Sequence, residues 1–233
     1  ALGNSDIHFI KASLNFRNEY PEDFYFNTVF NNFEWKLNRE AFSDYKFGVG
    51  YENTRWNTDF NLNYTFLDKY LYFDQNALPK INQNLCNVLS ASLSQFVSFG
   101  VFNWNNEIRT QYFSDKSVYD LPALGVHSSL YIKTKLFDKK LGFQSGVDFS
   151  WMTKSKGFAY MPATGVFYRN EYSEYGNFIV LDFHASILIK RFRGFIKLSH
   201  FNQAFMKANY FSLLHYPLNP LSFNFGISWE FYD

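Results

Sequence analysis

Residues 223–233 read FNFGISWEFYD, with Phe223, Phe225, Ile227, Trp229 and Phe231 at every second position and Asn224, Gly226, Ser228 and Glu230 between them. Period-two alternation predicts a strand whose two faces differ in chemistry. A water-soluble sheet rarely needs so aromatic a face on a terminal strand. A strand with lipid on one side and an aqueous lumen on the other does need one.

The composition supports that reading. Aromatic residues make up 22% of the 233-residue chain, with 30 Phe, 17 Tyr and 5 Trp. Hydrophobic residues reach 47%, yet mean hydropathy is −0.28, so apolar groups are interleaved with polar ones rather than gathered into runs. No stretch approaches the ~18–20 consecutive apolar residues of a membrane-spanning helix. A barrel strand needs only ~9–11 residues and carries a polar residue at every other position. With 22 basic and 21 acidic groups and a net charge of +1, nothing recommends a nucleic-acid partner. Cys86 is the sole cysteine, which excludes an intrachain disulfide and a CxxC metal site. Ala1–Asp6 has neither the basic start nor the apolar stretch of a signal peptide. An outer-membrane reading therefore expects a processed or truncated chain.

Alternation predicts eleven strands. The clearest are 57–66, 101–112, 141–152 and 178–190, and 7–17, 24–36, 44–53, 86–96, 124–136, 194–202 and the terminal strand complete the set. The segment 24–36 slips phase between Phe30 and Phe33 across Asn31 and Asn32. A β-bulge explains the slip and is the preferred reading; an Asn-Asn turn dividing the segment in two would explain it as well. Connections alternate in length, short near 53–56, 97–100, 137–140 and 191–194 and long at 67–85, 113–123, 153–176 and 203–220. Transmembrane barrels sort their loops in this way. An odd strand count conflicts with the even number of bacterial barrels. Either one strand is miscounted or upstream strands are missing, and the sequence reading favours the second.

Four segments carry a resemblance: HYPLNPLSFNFGISWEFYD (His215–Asp233), YLYFDQNALPKINQNLCNVLSASLSQ (Tyr70–Gln95), AYMPATGVFYRN (Ala159–Asn170) and FIKLSHFNQAFMKANYF (Phe195–Phe211). They resemble, in order, the putative-porin family of Bacteroidota outer membranes. The resemblance implies a transmembrane antiparallel up-and-down β-barrel in a Gram-negative outer membrane, with about 11–12 strands visible in this chain. Members of that family are larger, which makes 1–233, expected as a single barrel domain, the C-terminal portion of one. Ending in Asp233 departs from the commonest terminal signal, which is aromatic.

The phase places Asn103, Glu107, Arg109, His127, Lys133, Lys135, Asp148, Asp182, His184 and Lys190 toward the lumen. Their mixed charges suit either an aqueous pore or a filled interior. Trp35, Trp56, Trp104, Trp151 and Trp229 lie near strand ends or on the apolar phase and are expected in the membrane girdle. Phe223, Phe225, Ile227, Trp229 and Phe231 form the expected closing strand. Loop aromatics such as Tyr160, Phe167, Tyr168 and Tyr172 either pack on themselves or stack against glycans. No GxSxG elbow, HExxH or paired-His spacing occurs, so no catalysis, metal or cofactor is expected. Gly48 and Gly50 lie at strand spacing with no helix following, and ease strand curvature rather than hold a phosphate. The expected function is a porin for passive diffusion of small solutes. The alternative is a non-conducting barrel serving as a structural or interaction subunit of a secretion or uptake complex. Expected partners are outer-membrane lipid, barrel-assembly machinery, small solutes or ions and other outer-membrane subunits.

Overall fold

The structure is a computed structural model that describes residues 8–30, 32–206 and 210–231. Ten long strands form one antiparallel sheet, each paired with its neighbour along the chain. They are β1 (His8–Glu19), β2 (Phe42–Asn53), β3 (Thr58–Asp68), β4 (Cys86–Phe99), β5 (Phe102–Phe113), β6 (Leu124–Leu136), β7 (Leu141–Met152), β8 (Ile179–Ile189), β9 (Phe192–Ser199) and β10 (Ser222–Trp229). Twelve residues at about 3.3 Å each, tilted by about 40°, rise about 30 Å, which matches the hydrocarbon core of a bilayer.

Register carries the alternation of each strand across the whole sheet. One row runs Leu14, Phe47, Tyr64, Leu89, Tyr112, and another runs Leu130, Val147, Phe183, Leu198, Phe223. Both rows lie on the apolar face. Ile10 is 79% exposed, Leu14 72%, Phe225 75% and Ile227 78%. A contiguous apolar surface of this extent is far larger than a soluble monomer shows to water, and it marks contact with lipid or another apolar partner.

The connections fall into two classes by end. Turns 54–57, 100–101, 137–140 and 190–191 join strands at one end, and loops 20–41, 69–85, 114–123, 153–178 and 200–221 join them at the other. The turn between β6 and β7 holds Phe137, Asp138 and Lys139 at positive φ, with the Lys140 N–H donating to the Phe137 carbonyl at 3.0 Å.

The strand count differs from the expectation by one. Segment 24–36 is not a wall strand: Asp23–Tyr25 is a 3-10 turn, and Asn27–Val29 pairs with Glu34–Lys36 in a separate two-stranded hairpin inside the first long loop. The segment divides rather than bulging, and Asn31 lies outside the described residues. With ten strands, His8 opposite Asn53 and Trp229 opposite Phe192 both lie at the short-turn end. The parity argument for missing upstream strands therefore no longer holds. Among the described residues the outer edges of β1 and β10 pair with no other strand.

Buried hydrophobic side chains collect in or beside the long loops rather than between layers. Trp35, Phe73 and Val166 form a cluster, with Phe24, Tyr25, Phe33, Leu78, Met161 and Tyr168 packed against it. Further ring contacts join Tyr70 to Tyr119 at 4.9 Å and Tyr160 to Tyr216 at 6.0 Å, so all five long loops belong to one network. A sheet with lipid on one side and water on the other has no interior of its own to fill. The loops supply the core.

Candidate pore lining

The second face of the sheet is polar by the same register. One row runs His127, Ser150, Val180, another runs Ser129, Asp148, Asp182, and a third runs Tyr131, Gly146, His184, Lys197, Asn224. Asn103, Glu107, Arg109, His127, Lys133, Lys135, Asp148, Asp182 and His184 all lie on this face. Lys190 sits instead in the turn between β8 and β9 with φ of 51°, at the rim of the same face.

Most charges on the face are paired. Lys11 Nζ lies 2.7 Å from Glu52, Arg17 is 2.6 Å from Asp44, Arg109 Nε donates to Glu107 at 2.6 Å, and Lys197 is 2.8 Å from Asp182. Asp148 and Asp182 face each other across β7 and β8, which would be repulsive in isolation. Each has its own compensation. Asp148 accepts from Ser129 at 2.5 Å and lies 3.4 Å from His184, while Asp182 accepts the backbone N–H of His200 at 2.7 Å in addition to Lys197. His127 Nδ1 and Ser150 Oγ are 2.9 Å apart. Asn103 is buried, receiving Ser98 Oγ and donating to the Val101 carbonyl, both at 3.1 Å.

Glycines on this face make room for neighbours. Gly48 lies beside Ser13 and Asn63, and Gly50 beside Asn61. Gly226 lies beneath the ring of Phe195. At the long-loop end, an aromatic cavity of about 710 Å³ is walled by Tyr20, Phe24, Tyr70, Tyr119, Phe158 and Phe167. Packing of the loop aromatics on themselves was one of the two expectations, and Tyr160 does pack against Phe167 at 5.1 Å, but no shared wall between loops was assigned. Its only signal was the aromatic content of the loops.

A ten-stranded up-and-down sheet with one lipid-like face and one charged face now stands beside a matching family. Residues 2–233 match the family described as Putative porin. The chain belongs to that family. As a putative porin it is a protein of the bacterial outer membrane. No curated protein matches it. Among solved structures, P. aeruginosa FpvA bound to a pyoverdine–iron complex superposes with a TM-score of 0.55 at 12% identity, over 86% of this chain and 28% of that one. The likeness is one of fold, and the putative porin chain spans little more than a quarter of FpvA.

Four of the expected girdle tryptophans lie on or near the sheet. Trp104, Trp56 and Trp229 are at its short-turn end, and Trp151 is near the long-loop end. Trp104 Nε1 donates to Ser128 Oγ at 2.8 Å. Trp35 corrects the expectation. It is only 6% exposed, donates Nε1 to the Phe24 carbonyl at 3.0 Å and packs edge-on against Phe24 and Phe73. A ring held inside the loop cluster does not reach headgroups.

Proposed function

We propose that the ten-stranded sheet is wall of a closed transmembrane barrel that lets small solutes diffuse passively through an aqueous lumen, with no chemistry catalysed. One observation carries the reading: across ten strands a single register gathers most aliphatic and aromatic side chains on one face and most charged, amide and hydroxyl side chains on the other, with Val180, Leu188 and Phe195 among the exceptions on the polar face and Asn106 and Ser128 among those on the apolar one. Such a sheet fits lipid outside and water inside. In hydrocarbon every backbone polar group needs a partner, so the free edges of β1 and β10 must be paired in the membrane, with each other or with further strands. The polar-face residues named above, including Glu107, Arg109, Lys133 and Asp148, would then line the lumen. Trp56, Trp104, Trp151 and Trp229 would lie at the two interfaces, where amphipathic rings are favoured.

The packed loop cluster favours a second reading, in which the barrel is capped at its long-loop end and acts as a structural or interaction subunit. Ion pairs across the polar face would equally suit a filled interior. Conductance separates the two. Folded protein reconstituted in a planar bilayer is expected to give discrete current steps; a correctly inserted barrel that passes no current would overturn the diffusion reading and leave the subunit reading standing.

A further inference from the structure

Once the ion pairs on the polar face are matched, much of the remaining charge is positive and lies at the short-turn end. Lys133 and Lys135 stand two residues apart on β6, opposite Gln144 and Gly142. From Gly142 the row continues through Leu188 to Arg193 on β9 and Ser228 on β10. None of these three cations has an ion-pair partner among the described residues, in contrast to Lys11, Arg17, Arg109 and Lys197. Lys190 and Arg191 of the adjoining turn bring two more. Together with Glu230 the five cations line a recess of about 880 Å³.

The geometry of the recess follows from the register. Lys135 and Arg193 are three strands apart, about 14 Å at the usual ~4.8 Å spacing, and both side chains are long and exposed. Gly142, which adds no side chain, and the exposed Leu188 lie between them in the row. A small anion in the middle of the Lys135–Arg193 row would lie about 7 Å from the strands at either end, within one Debye length at physiological salt, ~8 Å. Without an anion the cations repel one another. With one they are compensated together, and the Arg193 and Arg191 forks match the geometry of a phosphate or carboxylate.

We propose that this recess is an anion-binding station at the short-turn mouth, selective for small multivalent oxyanions, the chemistry shared by phosphates and polycarboxylates. Given the conducting barrel proposed above, on which this part rests, the station makes the pore prefer anions. Rings of Lys and Arg select anions in pores by this physics.

The test uses the full chain, folded and reconstituted, beside a charge-reversed variant, Lys133→Glu/Lys135→Glu/Arg193→Glu, and a neutral one, Lys135→Gln/Arg193→Gln. In a KCl gradient the wild type is expected to show a reversal potential of chloride-selective sign. The neutral variant moves it toward zero and the reversed variant inverts it, with current steps persisting in all three. Inorganic pyrophosphate added at the short-turn side should reduce wild-type current and leave the reversed variant unaffected. Equal selectivity in all three proteins overturns the station. If no protein conducts, the diffusion reading fails by itself, and calorimetric titration of the detergent-folded proteins with pyrophosphate decides the station alone. Binding by the wild type that is lost in the neutral variant supports it, and no binding by the wild type overturns it.

Discussion

At the scale of single residues, the polar face contains a contrast that energetics can test. A Cβ added at Gly146 would sit 2.4 Å from the Tyr131 Cβ and 2.6 Å from the Leu130 carbonyl oxygen. Neither neighbour can yield without moving backbone, so Gly146→Ala is expected to cost about 1–3 kcal/mol, as overpacking does. At Gly226 the close neighbour is the ring edge of Phe195, at 2.5 Å from Cε1. That ring is exposed and free to swing, so Gly226→Ala should cost less than about 1 kcal/mol. Urea unfolding midpoints of the two variants in lipid vesicles check this, and equal losses would contradict the steric argument. Period-two alternation puts Gly146 on the polar phase of 141–152, but the pairing of Gly146 with Tyr131 is a matter of register. The turn at 137–140 sets that register through three consecutive residues at positive φ, a conformation that FDKK does not advertise.

At the scale of elements, strands and loops differed in how well the sequence revealed them. The wall strands were legible because lipid and water impose a period of two over eight to 14 residues. The segment 24–36 misled because a hairpin packed into a loop cluster also alternates, with Trp35 and Phe33 facing rings rather than lipid. The clue was the phase slip. The short connection expected at 191–194 is likewise displaced, since the chain turns at Lys190 and Arg191 and β9 begins at Phe192.

The loop cluster also carries a pH prediction. Lys80 lies 3.0 Å from buried Asp74, whose hydrogen bond and charge hold the ammonium above its ordinary 10.5. Burial, above all, raises the Tyr119 phenol above its ordinary 10.0. Both folded values are raised, so both contributions are complete below the ordinary values and are lost as pH rises through the folded ones. The loops should therefore become open to proteolysis above about pH 10 while far-UV circular dichroism of the sheet persists. Tyr119→Phe, which keeps the ring contacts with Tyr70 and Phe113 and removes the proton, should move that opening to higher pH. An unchanged midpoint would exclude Tyr119 as a contributor.

At the scale of the whole molecule, the two sheet edges set the requirement for insertion. The twelve residues of β1 present roughly six N–H and six C=O groups along an outer edge, and leaving each unpaired in hydrocarbon costs several kcal/mol. The total far exceeds the about 5–15 kcal/mol of net stability available to a domain. An open sheet therefore cannot rest in the bilayer, and the last strand to pair determines whether the barrel forms. On that argument Trp229 and Phe231 act during assembly more than in the finished barrel. Their rings stack 6.1 Å apart, and Trp229 meets Phe192 edge-on at 5.8 Å, so the end of β10 presents an ordered aromatic surface to whatever engages it. Trp104 is the matched control, an exposed ring on the same face at the same end, but in mid-sheet. Trp229→Asn/Phe231→Asn is expected to reduce the yield of inserted, heat-modifiable barrel severalfold while leaving the urea midpoint of the molecules that do insert close to wild type. Trp104→Asn should do the reverse, lowering the midpoint modestly and sparing the yield. If both variants lose yield and stability in the same proportion, these rings act only as interfacial anchors, and the terminal alternation has no separate part in closure.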